Sequence, residues 1–134
     1  MAQITAIIET AEKNYSAYVE GIDGIAVVGS TLDEIKMRMA EALEIYIETC
    51  KEFNMEIPEQ LNGDYELNFR MDVQSLLGLY TGIFTKSGLQ RITGINQKQL
   101  WHYASGLKKP KQTQTQKIES ALHKLGSELM AIRL

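Results

Sequence analysis

The stretch Lys86-Ser87-Gly88-Leu89-Gln90-Arg91-Ile92-Thr93-Gly94-Ile95-Asn96-Gln97-Lys98-Gln99-Leu100-Trp101-His102-Tyr103-Ala104-Ser105-Gly106 decides how the second half of this chain folds. Its apolar residues recur at helical spacing on both sides of Gly94. A glycine adopts positive φ without steric cost, so Gly94 is expected to end a helix running from about Ser87 to Thr93 and to turn the chain. Asn96 is placed to cap a second helix, from about Gln97 to Ser105, and Gly106 to end it. Leu89, Ile95, Leu100 and Tyr103 are the apolar positions that would hold the two helices together.

Outward from this stretch the helical period continues. After Lys108-Lys109-Pro110, a last helix carries Ile118, Ala121, Leu122, Leu125, Leu129 and Ile132 on one face. Ahead of the stretch, Asp72 is placed to cap a helix bearing Leu76, Leu77, Leu79, Tyr80 and Ile83. Residues 73–134 are therefore expected to form an all-α domain.

Upstream of Asp72 the period drops to two. Tyr65, Leu67, Phe69 and Met71 alternate with Glu66, Asn68, Arg70 and Asp72, which reads as a strand with one packed face. Ile4, Ala6 and Ile8 alternate in the same way, as do Tyr15, Ala17 and Val19, and Ala26-Val27-Val28 is a third short run. Asn14 and the Gly21/Asp23/Gly24 cluster supply the turns. Between the third and fourth strands, Thr31 and Glu34 have capping-box spacing. They open a helix whose apolar stripe is Leu32, Ile35, Met39, Ala42, Leu43, Tyr46, Cys50 and Phe53, stopping near Asn54 ahead of Ile57-Pro58. Gln60 to Asp64 reads as a polar loop. The expected class is α+β: a β-β-β-α-β domain over residues 1–72, then the helical domain.

Charge separates along the same boundary. Of the chain's 134 residues, the first 72 hold five Lys and Arg against fifteen Asp and Glu, a net of −10; the rest hold nine against two, a net of +7. A basic half suits a polyanion, and an acidic half some other task. No apolar run approaches the ~18 residues that span a bilayer. Met1-Ala2-Gln3-Ile4 offers no basic leader, so a cytoplasmic protein without membrane association is expected. Cys50, the sole cysteine, lies on the apolar stripe and reads as an inert buried thiol. With two His and one Cys there is no metal-ligand spacing and no nucleophile–base set, and no cofactor is expected. A metal-dependent nuclease would need several converging acids. Glu9, Glu20, Glu66 and Asp72 lie mostly at strand ends and on wet faces, and no enzyme is expected.

The paired helices, the trailing Gly106-Leu107-Lys108-Lys109-Pro110 and the final helix with Ala121-Leu122 and Leu125-Gly126 resemble the helix-turn-helix of phage-repressor-type regulators over about fifty residues. The likeness departs at Gln90, where that family usually has Ala because its two helices cross closely. In such a motif the first residues of the second helix meet base edges in the major groove. Those are Gln97 and Lys98 here, with Gln99, Trp101 and His102 as further candidates on the outward side. Gln suits adenine N6 and N7, and Lys suits guanine O6 or N7. Trp101 is equally compatible with a thymine methyl or sugar contact and with a core or dimer-interface position. Lys86, Lys108, Lys109 and Lys111 are candidates for phosphate contact. A single helix of this kind makes few base contacts, so a homodimer or higher homo-oligomer on double-stranded operator DNA is expected.

The acidic half resembles the HicB antitoxins. The likeness rests on Tyr15-Ser16-Ala17-Tyr18-Val19-Glu20, Asp23-Gly24, Gly29-Ser30-Thr31-Leu32-Asp33-Glu34, Glu41-Ala42-Leu43-Glu44-Ile45-Tyr46 and Ile57-Pro58. It departs at Ile22, since the family usually has Pro ahead of the Gly. The resemblance implies a partial RNase H-like fold without nuclease activity, a small basic HicA-like mRNA-cleaving toxin as partner, and repression of its own operon. Glu41, Glu44, Glu48 and Glu52, at steps of three and four on the long helix, form an acidic stripe suited to a basic partner. The alternative is a solitary helix-turn-helix repressor whose first domain only oligomerises or senses a ligand.

Overall fold

The computed structural model describes residues 1–134. The chain is α+β and divides into two compact units, Met1–Asp72 and Val73–Leu134.

In the first unit, β1 (Ala2–Thr10), β2 (Tyr15–Val19), β3 (Ala26–Gly29) and β4 (Tyr65–Met71) form one mixed sheet in the order β3-β2-β1-β4. β1 pairs antiparallel with β2 through Ala6–Val19 and Ile8–Ala17, and parallel with β4 through Ile4–Leu67 and Ala6–Phe69. β2 and β3 are antiparallel, so β3 and β4 run the same way at opposite edges. Parallel strands cannot be joined by a tight turn. The connection is α1 (Leu32–Glu52).

The alternation read from the sequence sets the buried face. Ile4, Ala6, Ile8, Ala17 and Val19 point to α1, which buries Ile35, Met39 and Leu43 against them. Tyr65, Leu67, Phe69 and Met71 pack at the margin of this core. Thr31 Oγ1 accepts from the Glu34 amide at 3.1 Å, the first half of a capping box, while the Glu34 carboxylate reaches one residue past the cap and accepts from the Ser30 amide at 3.3 Å. Cys50 is buried.

Phe53, expected on the buried stripe of α1, is 67% exposed, because the helix ends at Glu52 and the chain turns away at Asn54, whose φ is 53°. A single turn of 3-10 helix, Glu59–Leu61, runs into the stretch expected as a polar loop, Gln60 to Asp64, and buries Leu61. Ile22 and Ile25, in the turn between β2 and β3, are also core residues.

The second unit has four helices: α2 (Val73–Leu79), α3 (Lys86–Thr93), α4 (Gln97–Ser105) and α5 (Gln112–Ala131). Val73, Leu77, Leu89, Ile95, Leu100, Tyr103 and Ile118 make its core. Three apolar residues assigned to buried stripes are exposed. α2 stops at Leu79, leaving Ile83 73% exposed in the connection to α3. Leu129, near the end of α5, and Ile132, just past it, are exposed, as is Met130. Along α5 Ile118 is buried and Leu122 and Leu125 are half-buried, and every residue past Gly126 is exposed. No helix of the chain is long and apolar enough to cross a membrane.

Candidate nucleic-acid interface

The geometry of α3 and α4 follows from how their ends are fixed. Thr85 caps α3, its hydroxyl accepting from the Gly88 amide at 3.0 Å. Gly94 ends the helix with φ 77°, in the left-handed region where any other L residue is strained. The Gly94 amide donates to Gln90 O at 2.8 Å. Thr93 Oγ1 donates to Leu89 O and accepts from the Ile95 amide, which fastens the turn. Ile95 is thereby held in the core.

α4 starts with two side-chain locks. Asn96 Oδ1 accepts from the Lys98 amide at 2.8 Å, as expected of a cap. Gln90 Oε1 accepts from the Gln97 amide at 2.9 Å. Gln90 therefore does not intrude between the helices in place of the expected Ala. It lies exposed and fixes the first amide of α4 to α3. Sequence reasoning noted Gln90 only as a departure; the hint was an amide side chain one turn before the glycine. A neutral hydrogen bond contributes about 0.5–1.5 kcal/mol. Gln90→Ala is expected to lower the stability of this unit by about that amount in urea unfolding. An unchanged midpoint would mean that the lock contributes nothing.

With α4 oriented by the burial of Leu100 and Tyr103, its open face consists of Gln97, Lys98, Trp101 and Ser105. Trp101 is 51% exposed, which removes the core position left open for it. Ser105 was not among the candidates. Gln99 and His102, the other two candidates, are less open. Gln99 is half-buried and its Nε2 donates to the Tyr103 hydroxyl at 2.8 Å, one turn on, so its amide faces inward. His102 is half-buried, with Nδ1 enclosed by protein and without a hydrogen-bond partner. Its ring meets the Trp101 ring edge-on, with centroids 5.9 Å apart.

The candidate phosphate-binding lysines are all exposed. Lys86 begins α3. Lys108, Lys109 and Lys111 occupy the connection from α4 to α5. Gly106, with φ 80°, directs that connection, and the Lys108 amide donates to His102 O at 3.2 Å. Lys111 stands at the start of α5, where no side chain caps the helix. Open first-turn amides and the helix dipole favour an anion at such an end. The ion pairs Arg38–Glu34 and Arg70–Glu20 both lie in the first unit and involve none of these lysines.

In the first unit, Glu41, Glu44, Glu48 and Glu52 are exposed along the outer side of α1 and enter neither ion pair. Met37 and Ile45, each one turn from Glu41, are exposed among them, an apolar element that sequence reasoning missed. On the open sheet face, Glu20 pairs with Arg70 at 3.7 Å and Glu66 accepts from Gln3 Nε2 at 2.9 Å. No three His, Cys, Asp or Glu side chains are grouped to hold a metal ion.

Comparison with protein-family models, with curated proteins and with solved structures gave no match.

Proposed function

We propose that this chain is a DNA-binding repressor of the antitoxin type, with residues 73–134 reading operator DNA and residues 1–72 neutralising a small basic toxin. The observation that carries the DNA half is the open face of α4. Gln97, Lys98 and Trp101 project from a helix whose first two amides are locked, on a unit of net charge +7. A helix start held this rigidly suits base reading, because the contacting side chains are already oriented before binding. Gln97 serves adenine, Lys98 serves guanine, and the lysines around the face serve phosphates. Gln99 has the different task of bracing Tyr103.

The chain binds as a homodimer or larger homo-oligomer, one α4 per half-site. The exposed Leu129, Met130 and Ile132 offer apolar surface for such an assembly. The β-β-β-α-β order of the first unit supports a partial RNase H-like, HicB-type domain. Its acidic α1 face suits a HicA-like toxin by charge.

A reporter driven by the promoter of the chain's own gene tests repression. The wild type is expected to silence it. The double variant Gln97→Ala, Lys98→Ala is expected to relieve repression, each lost base contact costing about 1–3 kcal/mol. Full repression by the variant would remove these residues from the reading. Affinity purification of the protein from its native locus tests the other half. A small basic protein, toxic when expressed alone, is expected to co-purify with the wild type. The variant Glu44→Lys, Glu48→Lys is expected to lose it. Undiminished retention would dispose of the α1 face as its docking site, and an empty eluate would favour a solitary repressor.

A further inference from the structure

Trp101 is a large apolar ring left half in water, near the middle of a face that otherwise consists of Gln97, Lys98 and Ser105. It is the chain's only tryptophan. The edge-on contact with His102, whose own ring is half-buried, gives the indole a firm backing. This is an exposed, largely apolar ring with a neighbour on one side, and an apolar group on DNA is what would cover the rest of it.

Given the DNA-binding reading, on which this inference rests, the identity of that partner follows from the chemistry of the groove. Stacked bases do not offer their faces to a helix in the major groove. The apolar group they present there is the C5-methyl of thymine. We infer that Trp101 packs on a thymine methyl group and specifies one T in each half-site. Trp101 lies four residues beyond Gln97, about 6 Å along the helix axis at 1.5 Å per residue. With bases about 3.4 Å apart on a strand, that thymine falls within about two base pairs of the adenine served by Gln97. Each half-site thus carries an A·T pair under Gln97 and a T under Trp101.

The test uses full-length protein and duplexes selected by it from a random library. In the selected site, each thymine is replaced in turn by uracil, which removes the methyl and keeps every hydrogen-bonding group. One position per half-site is expected to weaken wild-type binding by about fourfold, the worth of a single buried methyl or methylene group. Trp101→Ala is expected to bind more weakly than wild type and to respond to uracil at that position by less than about 1.5-fold, the methyl having lost its partner. The wild-type comparison needs no variant and by itself can overturn the inference, and Trp101→Gln, a polar replacement at this half-exposed position, takes the place of Trp101→Ala where the alanine variant folds poorly. If no uracil position affects the wild type, the inference is overturned while DNA binding stands. If Trp101→Ala responds to uracil as strongly as the wild type does, some other residue meets the methyl and the inference is again overturned. If no sequence is enriched at all, the DNA-binding reading fails with it.

Discussion

Replacing Leu100 with alanine is expected to lower the unfolding free energy of residues 73–134 by about 2–5 kcal/mol. Leu100 is 1% exposed and shares a core with Val73, Leu77, Leu89, Ile95, Tyr103 and Ile118. The cost combines the lost transfer of the side chain with the cavity left behind. A small unit has few core residues with which to close that cavity, and its total stability is itself only several kcal/mol. The same side chain sets the rotation of α4, so the face bearing Gln97 and Lys98 depends on it. Trp101, the only tryptophan and a neighbour of Leu100 in sequence, reports on this unit alone. Its fluorescence in a urea titration is expected to show a lower midpoint with the slope little changed. The volume-conserving Leu100→Met should cost less than about 1.5 kcal/mol. A loss below about 1 kcal/mol for alanine would mean that Leu100 does not hold the helix pair together.

Removing four charges together, Lys86→Ala, Lys108→Ala, Lys109→Ala and Lys111→Ala, is expected to flatten the salt dependence of DNA binding. Each phosphate contact contributes about −0.9 to the slope of log affinity against log salt. Four contacts per protomer therefore account for about a 10²-fold difference in affinity per bound protomer between 50 and 200 mM salt, and that part disappears in the variant. Because phosphates carry no sequence information, affinity for the preferred site and for random duplex should fall by a similar factor. Anisotropy titrations at several salt concentrations measure both. A slope unchanged from wild type would show that these exposed lysines stay solvated in the complex. A collapse of the preference itself would show that they read bases.

The sequence carried the elements well because their signals are local. Alternation at Ile4, Ala6 and Ile8 states which strand face is wet, and it matches the observed burial. Thr31, Glu34, Gly94, Asn96 and Gly106 fix helix ends through bonds within a few residues, as expected of all but Glu34, which reaches one residue past the cap. The break between the two units falls where the apolar period changes from two to helical. What failed was extent. A periodic stripe tells which side of a helix faces inward but not where the covering layer stops, so Phe53, Leu129 and Ile132 were carried past the end of the packing. Ile22, Ile25 and Leu61 are the reverse case: they are buried from turns, where no period exists to mark them.

The candidate face was legible in outline for the same reason. Gln97, Lys98 and Trp101 project outward because Leu100 and Tyr103 project inward. Gln99 is less open than its position suggests, because counting positions does not reveal that its amide stands within hydrogen-bonding distance of the Tyr103 hydroxyl. The bond from Gln90 to the start of α4 spans a turn whose exact path only coordinates provide.

The decisive measurement is a competition titration of the full-length protein on two duplexes at about 0.15 M salt, the physiological range. One duplex is the DNA upstream of its own gene, and the other is random sequence of equal length. A specific repressor is expected to prefer the first by about 10³-fold or more. Equal affinity for both, or none for either, would contradict sequence-specific DNA binding through α4 and leave the basic half without its proposed role.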